Sequence, residues 1–201
     1  MMSVRPQTLM QMAGVQPSLP VLDECALLFI DFQCQYLSGI TRLHEVTAAL
    51  DVAGKLLETC RNASVPVVHV CHQGRPGGMF DPETSAMDIA AQVQANPGEK
   101  IVKKLLPNSF AGTDLHQVLK ESGRDKLIVA GFMTHMCVSS TVRAGLDLGW
   151  NSFVVGDACA TRDLPNPVVK DGVIPAEMVH SVSLAALADR FATVINCDDV
   201  G

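Results

Sequence analysis

The chain has 201 residues, 48% of them hydrophobic and 18% charged, with a formal charge of −6 from 15 Lys and Arg against 21 Asp and Glu. That length suits one domain with a sizeable core, and a mean hydropathy of +0.24 excludes disorder and suggests apolar surface shared between subunits. An acidic balance without a basic run excludes nucleic acid and anionic membrane as natural partners, and no segment reaches the ~20 apolar residues that span a bilayer. The N-terminus lacks the charged start and apolar core of a signal peptide. Seven cysteines (Cys25, Cys34, Cys60, Cys71, Cys137, Cys159 and Cys197) make an odd count without a CxxC pair. Neither a disulfide framework nor a zinc knuckle follows, and a reduced, cytoplasmic protein is expected.

Residues 1–24 hold four Met and three Pro without periodicity and read as an arm on the body or on a neighbouring subunit. The run 25–30 is wholly apolar and ends abruptly in Asp31, as a strand buried on both faces would. Residues 41–62 carry Leu43, Val46, Leu50, Leu57 and Cys60 broadly on one helical face. A second strand is expected at 65–71, then a Gly/Pro-rich loop at 72–82 and a short helix within 83–96. A third strand at 101–104 precedes a helix at 113–122, capped by Thr113 or Asp114. A fourth strand begins at Lys126, a fifth covers 152–156, and a long loop covers 157–175. The last helix is expected at 176–190 and a sixth strand at 192–195. Strands alternating with helices, each strand a continuous apolar run, predict one α/β domain of doubly wound type: a six-stranded parallel sheet with helices on both faces.

The stretch from Lys126 to Val138 organises the rest. Gly131 ends its strand, Thr134 stands where a helix N-cap would, and Val138, Val142 and Leu146 recur every four residues before Gly149. Cys137 would then lie in the first turn of a helix, where free amides and the helix dipole lower a thiol's pKa. Taken alone, a buried cysteine is more often packing than chemistry. In open α/β sheets, however, the ligand crevice lies beyond the carboxyl ends of the strands. Asp31 ends the first strand, Lys104 the third, and Cys137 follows the fourth. A carboxylate, a cation and a thiol brought to one sheet edge form a base, a stabilising charge and a nucleophile.

The segments ALLFIDFQ (26–33), IVKKLLPNSFAGTDL (101–115) and GFMTHMCVSSTVRAGLDLGW (131–150), followed by VVGDACAT (154–161), resemble those of the isochorismatase-like cysteine hydrolases. That family includes nicotinamidases and N-carbamoylsarcosine amidohydrolases. The resemblance covers roughly residues 24 to 196, so residues 25–201 are read as the hydrolase domain behind the arm. It implies Asp31 as general base, Cys137 as nucleophile and Lys104 as the third member. Lys104 is chosen over Lys103 because family members place the lysine six residues before the phenylalanine, here Phe110. It also implies a cis Phe132–Met133 peptide, with the amides of Met133 and Cys137 forming an oxyanion hole.

The expected reaction is hydrolysis of an amide, ureido or carbamoyl C–N bond in a small molecule through a thioester. Nicotinamidases hold a metal with an Asp-x-His and a further His. Here the corresponding stretch lacks the Asp-x-His, and His69 and His72 would point to opposite faces of a strand. No metal and no cofactor are expected, and nicotinamide is disfavoured. Isochorismatases proper cleave a vinyl ether without a cysteine nucleophile, so Cys137 argues for C–N chemistry. Phe32, Tyr36, His72, Phe110, Phe132 and His135 flank the motifs as candidate substrate contacts. Arg75 and Arg162 lie in the two long loops, where solvated arginine is the ordinary reading. A homo-oligomer, dimer or tetramer, is expected. The alternatives are an idle or assembly member of the same fold, a hydrolase of a non-amide substrate such as isochorismate, and a nucleotide-binding protein. The last lacks any GxGxxG or GxxxxGK after a strand.

Overall fold

A computed structural model describes residues 5–201. Its strands are β1 (Cys25–Ile30), β2 (Val67–His72), β3 (Lys100–Lys104), β4 (Lys126–Phe132), β5 (Asn151–Ala160), β6 (Leu164–Pro165), β7 (Val173–Ile174) and β8 (Thr193–Ile195). Six of them form one parallel sheet in the order β3-β2-β1-β4-β5-β8. The helices are α1 (Leu9–Met12), α2 (Val46–Asn62), α3 (Leu115–Glu121), α4 (Ser139–Asp147) and α5 (Ala176–Arg190).

Every residue of β1 is buried, which is what its uninterrupted apolar run requires of a central parallel strand. Its alternate side chains serve two different cores. Leu27 and Phe29 pack with the inner face of α2, including Leu50, Ala53, Leu56 and Leu57. Ala26, Leu28 and Ile30 face the opposite layer, with Leu115 and Leu119 of α3, Val142 of α4 and Leu187 of α5. Strand order reverses between β1 and β4, so the crevice of this doubly wound sheet opens above their carboxyl ends. No helix among the described residues is long and apolar enough to cross a membrane.

Several local expectations change. Helix α2 starts at Val46 because Glu45 adopts left-handed backbone (φ 49°), while buried Leu43 belongs to the preceding loop. Residues 83–96 form two single 3-10 turns, Ser85–Met87 and Ala91–Val93, in place of a helix. Strand β5 runs on to Ala160 because, after a shift in register, Cys159 and Ala160 pair with Gly131 and Phe132 of β4. The loop that follows contains the antiparallel β6–β7 hairpin. Residues 1–4 of the expected arm lie outside the described residues. Further on, the arm holds the one-turn α1, closed by a Thr8–Gln11 capping box, with the Leu9 amide donating to Asp189 Oδ1 of α5 (2.8 Å).

Gly131 is the tightest point of the sheet. Its φ is +148°, and a Cβ there would stand 2.1 Å from the carbonyl oxygen of Ile30. Gly131→Ala is therefore expected to cost more than ~2 kcal/mol in urea unfolding, and a cost below ~0.5 kcal/mol would contradict this packing.

Candidate active site

Asp31 stands one residue past β1 with left-handed backbone (φ 54°), a conformation Asp tolerates better than most residues. Its amide donates to Val70 O of β2 (2.9 Å), which fixes the turn that swings the carboxylate over the sheet edge. Lys104 ends β3 in register with His72, buried where its neighbour Lys103 is exposed. The Lys104 ammonium lies 2.7 Å from Asp31 Oδ2, with both side chains at 0% exposure. The pair is a buried charge contact, with the Cys137 thiol also within hydrogen-bonding reach of the carboxylate. Lys104 Nζ donates to the carbonyls of Leu106 (3.2 Å) and Pro107 (3.3 Å), so the loop after β3 wraps its own lysine.

Cys137, 5% exposed, completes the group, its ionisation coupled to both Asp31 and Lys104. It lies inside a π turn, Thr134–Val138, and α4 begins only at Ser139. Thr134 does not cap this turn. The carbonyl of Met133 accepts from both Met136 N (3.0 Å) and Val138 N (3.3 Å), and the Thr134 hydroxyl turns to His180 Nδ1 (2.9 Å). The Phe132–Met133 peptide is cis.

Burial dominates the electrostatics. It pushes the Cys137 thiol up to about 12, with the Asp31 charge adding to the effect and Lys104 opposing it. The lowered thiol pKa expected at a helix start is therefore reversed. Burial also lifts Asp31 above the ordinary carboxylate range, against the pull of Lys104.

Tyr36 brings its phenol within electrostatic reach of Asp31 and Cys137. Phe32 and Phe132 lie in the layer beneath, their rings 4.7 Å apart, with Tyr36 edge-on to Phe132 at 5.9 Å. Half-buried His72 leans on Phe80 (4.9 Å) and is coupled to Lys104 and Asp31. His69 serves a separate group, 3.0 Å from Glu99, which also binds Arg61. His135 is held by Thr161 Oγ1 at 2.6 Å. Phe110 is the exception among the candidate contacts. It packs over Gly145 of α4 and stands 6.4 Å from His116, because the loop after Pro107 turns it between α3 and α4, away from the Phe32–Tyr36–Phe132 group. Arg162 is half-buried and its charge reaches Tyr36 and His135, whereas Arg75 is exposed.

Two residues absent from the candidate set shape the site. Gln33, fully buried, donates to the carbonyls of His72 and Met87 (2.9 Å each) and accepts from His72 N (2.8 Å). Phe80 has left-handed backbone and touches both Tyr36 and His72. Gln33 had a local signal, a polar residue directly after a buried strand; Phe80 lay in a glycine-rich loop with none.

Lys104→Met would strand the carboxylate, and breaking a buried pair costs about 3–5 kcal/mol. A carboxyl whose folded pKa is raised has its full stability below its unfolded value, near 3.8, and loses it as pH rises through the folded value. Losing Lys104 lifts Asp31 further. Urea unfolding should therefore show a Lys104→Met deficit that is small in acid and grows toward neutral pH; a deficit independent of pH would contradict the pair.

The chain is similar over nearly its whole length to proteins already described. A secreted isochorismatase effector of Verticillium dahliae is 36% identical over 94% of this chain and 96% of its own. A streptothricin hydrolase of Streptomyces noursei is 34% identical over 84% of this chain and 61% of its own. The crystal structure of an isochorismatase from Pseudomonas putida superposes with a TM-score of 0.93 at 38% identity, covering 98% of this chain and 100% of that one. With the isochorismatase domain matched over residues 25–199, the chain belongs to the isochorismatase family of hydrolases.

Proposed function

We propose that the chain is a cysteine hydrolase that cleaves an amide, ureido or carbamoyl C–N bond in a small molecule, with Cys137 as nucleophile, Asp31 as general base and Lys104 as the charge that holds it. The observation that carries this reading is the fully buried Asp31–Lys104 pair beside a buried thiol. A carboxylate lifted by burial is a better proton acceptor than an ordinary one. Similarity to a streptothricin hydrolase supports C–N chemistry.

In the resting site the proton stays on sulfur. As the sulfur–carbon bond forms, that proton passes to Asp31 and the carbonyl electrons move onto oxygen, toward the amides of Met133 and Cys137. Collapse restores the carbonyl and breaks the C–N bond, and the departing nitrogen takes the proton from Asp31. Asp31 then takes a proton from water, which attacks the thioester and frees the acid and the thiol. No step calls for a metal or cofactor. Tyr36, His72 and His135 border the substrate, and Phe32 and Phe132 support them from below. Arg162 faces Tyr36 and His135 and has no carboxylate within ion-pair distance among the described residues, which favours substrates bearing an acid group, such as ureido acids. The proposed assembly is a homo-oligomer of this chain. Met178 and Val182 stand on the outward face of α5 at 58% and 63% exposure, beside Glu177 and Ser181, as apolar surface that a second copy would cover.

Ammonia release across a panel of small amides, ureido acids and carbamoyl compounds tests the reading. Cys137→Ala should abolish turnover with the fold intact, and Asp31→Asn should lose ~100-fold or more. Turnover retained in Cys137→Ala would sink the nucleophile assignment. Sedimentation at micromolar concentration should show a dimer or tetramer; a lone monomer would remove the assembly.

A further inference from the structure

The turn that carries Cys137 is tied to the rest of the molecule by two threonine–histidine hydrogen bonds that the reaction steps above leave unused. Thr134 opens the turn and is completely buried, its hydroxyl 2.9 Å from Nδ1 of His180. One residue on, His135 Nδ1 lies 2.6 Å from the hydroxyl of Thr161, itself 1% exposed. Two consecutive residues of a five-residue turn are thus gripped from outside, one by α5 and one from just beyond β5. A third tie lies beyond the turn. Thr141 of α4 donates to Ser109 Oγ (2.8 Å) and accepts from Ser109 N (3.0 Å), on the loop whose carbonyls hold Lys104.

The winding of the turn makes the outer ties matter. Amides of Met136 and Val138 both close on the single carbonyl of Met133, so the turn is wide and π-wound, a geometry uncommon outside functional sites. Its first side chain gives no help from within, since the Thr134 hydroxyl does not bond back to the turn. A buried hydroxyl stripped of its partner costs about 1–3 kcal/mol, so the bond to His180 resists being opened. Burial holds both histidines below the ordinary histidine range, which leaves each imidazole neutral with one donor and one acceptor for its threonine.

We infer that His180 is a positioning residue for the nucleophile, acting through Thr134 to set where the Cys137 sulfur sits relative to Asp31. The inference rests on the reading of Cys137 as nucleophile. His180 is not among the charges acting on Asp31 or Cys137, and it lines a surface cavity of about 390 Å³ between α2 and the start of α5, with His44, Asp157 and Glu177. Its influence on the chemistry therefore runs through the threonine. The His135–Thr161 bond holds the next residue of the turn in the same way.

Acylation of Cys137 by para-nitrophenyl acetate tests this without knowledge of the natural substrate. The thiol attacks the acetyl carbonyl, para-nitrophenolate leaves, and an acetyl thioester forms that mass spectrometry locates. His180→Ala and the isosteric Thr134→Val should each lower the maximal acylation rate roughly 10–100-fold, with half-saturation held within about threefold, the signature of a misplaced reacting group. The double variant should be no slower than the slower single, because both remove one bond. His180→Asn and Thr134→Ser, which keep a polar atom on each side, should recover most of the rate. A parent-like rate in Thr134→Val, or losses that multiply in the double variant, would overturn the inference. That holds even if His180→Ala fails to fold, since Thr134→Val reports on the same bond. Acylation absent from Cys137 in the parent protein would instead remove the nucleophile reading, which is a different result.

Discussion

Two opposite charges with no exposure to water constrain everything else at this sheet edge. Each buried ion faces a desolvation penalty of several kcal/mol, which only its partner and well-placed dipoles offset. Asp31 and Lys104 meet that condition at 2.7 Å, with the carbonyls of Leu106 and Pro107 turned onto the ammonium. The sheet dictates which residues can do this. Asp31 follows β1 and Lys104 ends β3, with β2 between them, so their backbones stand roughly 9–10 Å apart. A lysine stem crosses that gap along the top of β2, where a shorter cation could not. The left-handed backbone at Asp31 completes the approach by turning the carboxylate away from the strand direction.

The same burial decides the state of the thiol. A helix N-terminus stabilises an anion by about 0.3–1 kcal/mol, and by ~2 kcal/mol in good geometry. Burial pushes the Cys137 thiol the other way, with the Asp31 charge adding to the effect and Lys104 opposing it. On the proposed reading, desolvation outweighs the helix start and the resting sulfur keeps its proton. In the proposed mechanism, reactivity then depends on proton transfer to Asp31 during attack, for which the distance between sulfur and carboxylate matters more than any standing thiolate. A site of this kind needs a firmly held turn, whereas a preformed thiolate would tolerate a looser one.

Legibility in the sequence follows this division between local and tertiary causes. The inner strands β1, β2, β4 and β5 were readable because a strand buried on both faces must be a continuous apolar run, the edge strands β3 and β8 from shorter apolar runs, and Asp31 as the charge that stops one. Lys104 and Cys137 followed from their places at strand ends. What local pattern could not carry was decided by partners distant in the chain. Residues 157–160 read as loop because Asp157 interrupts the apolar run, yet pairing with Gly131 and Phe132 draws them into β5. Thr134 looked like a cap, but the double acceptance at Met133 O and the presence of His180 forty-six residues later gave its hydroxyl another use. Phe110 sits in the lysine's own motif and still faces the opposite layer, since the turn after Pro107 reverses its direction.

Under the proposed function, the arrangement separates the groups that perform chemistry from those that select substrate. Asp31, Lys104 and Cys137 are fixed by strand ends and by a sheet whose register leaves little freedom, Gly131 being too close to Ile30 for even a methyl group. Tyr36, Phe80 and Arg162 instead occupy turns and loops outside the main sheet, whereas His72 ends β2 in register with Lys104. One sheet edge can then support hydrolysis of differently shaped molecules by changing only its rim. Around the site stand a half-buried imidazole and a phenol within electrostatic reach of Asp31, and a half-buried arginine with no carboxylate at ion-pair distance among the described residues. On the proposed function, those groups suit a compact polar substrate whose scissile carbonyl lies against Cys137 and whose acid group reaches Arg162. On that reading Asp31, Lys104 and Cys137 alone would accept many amides, and the rim is where the choice among them is made.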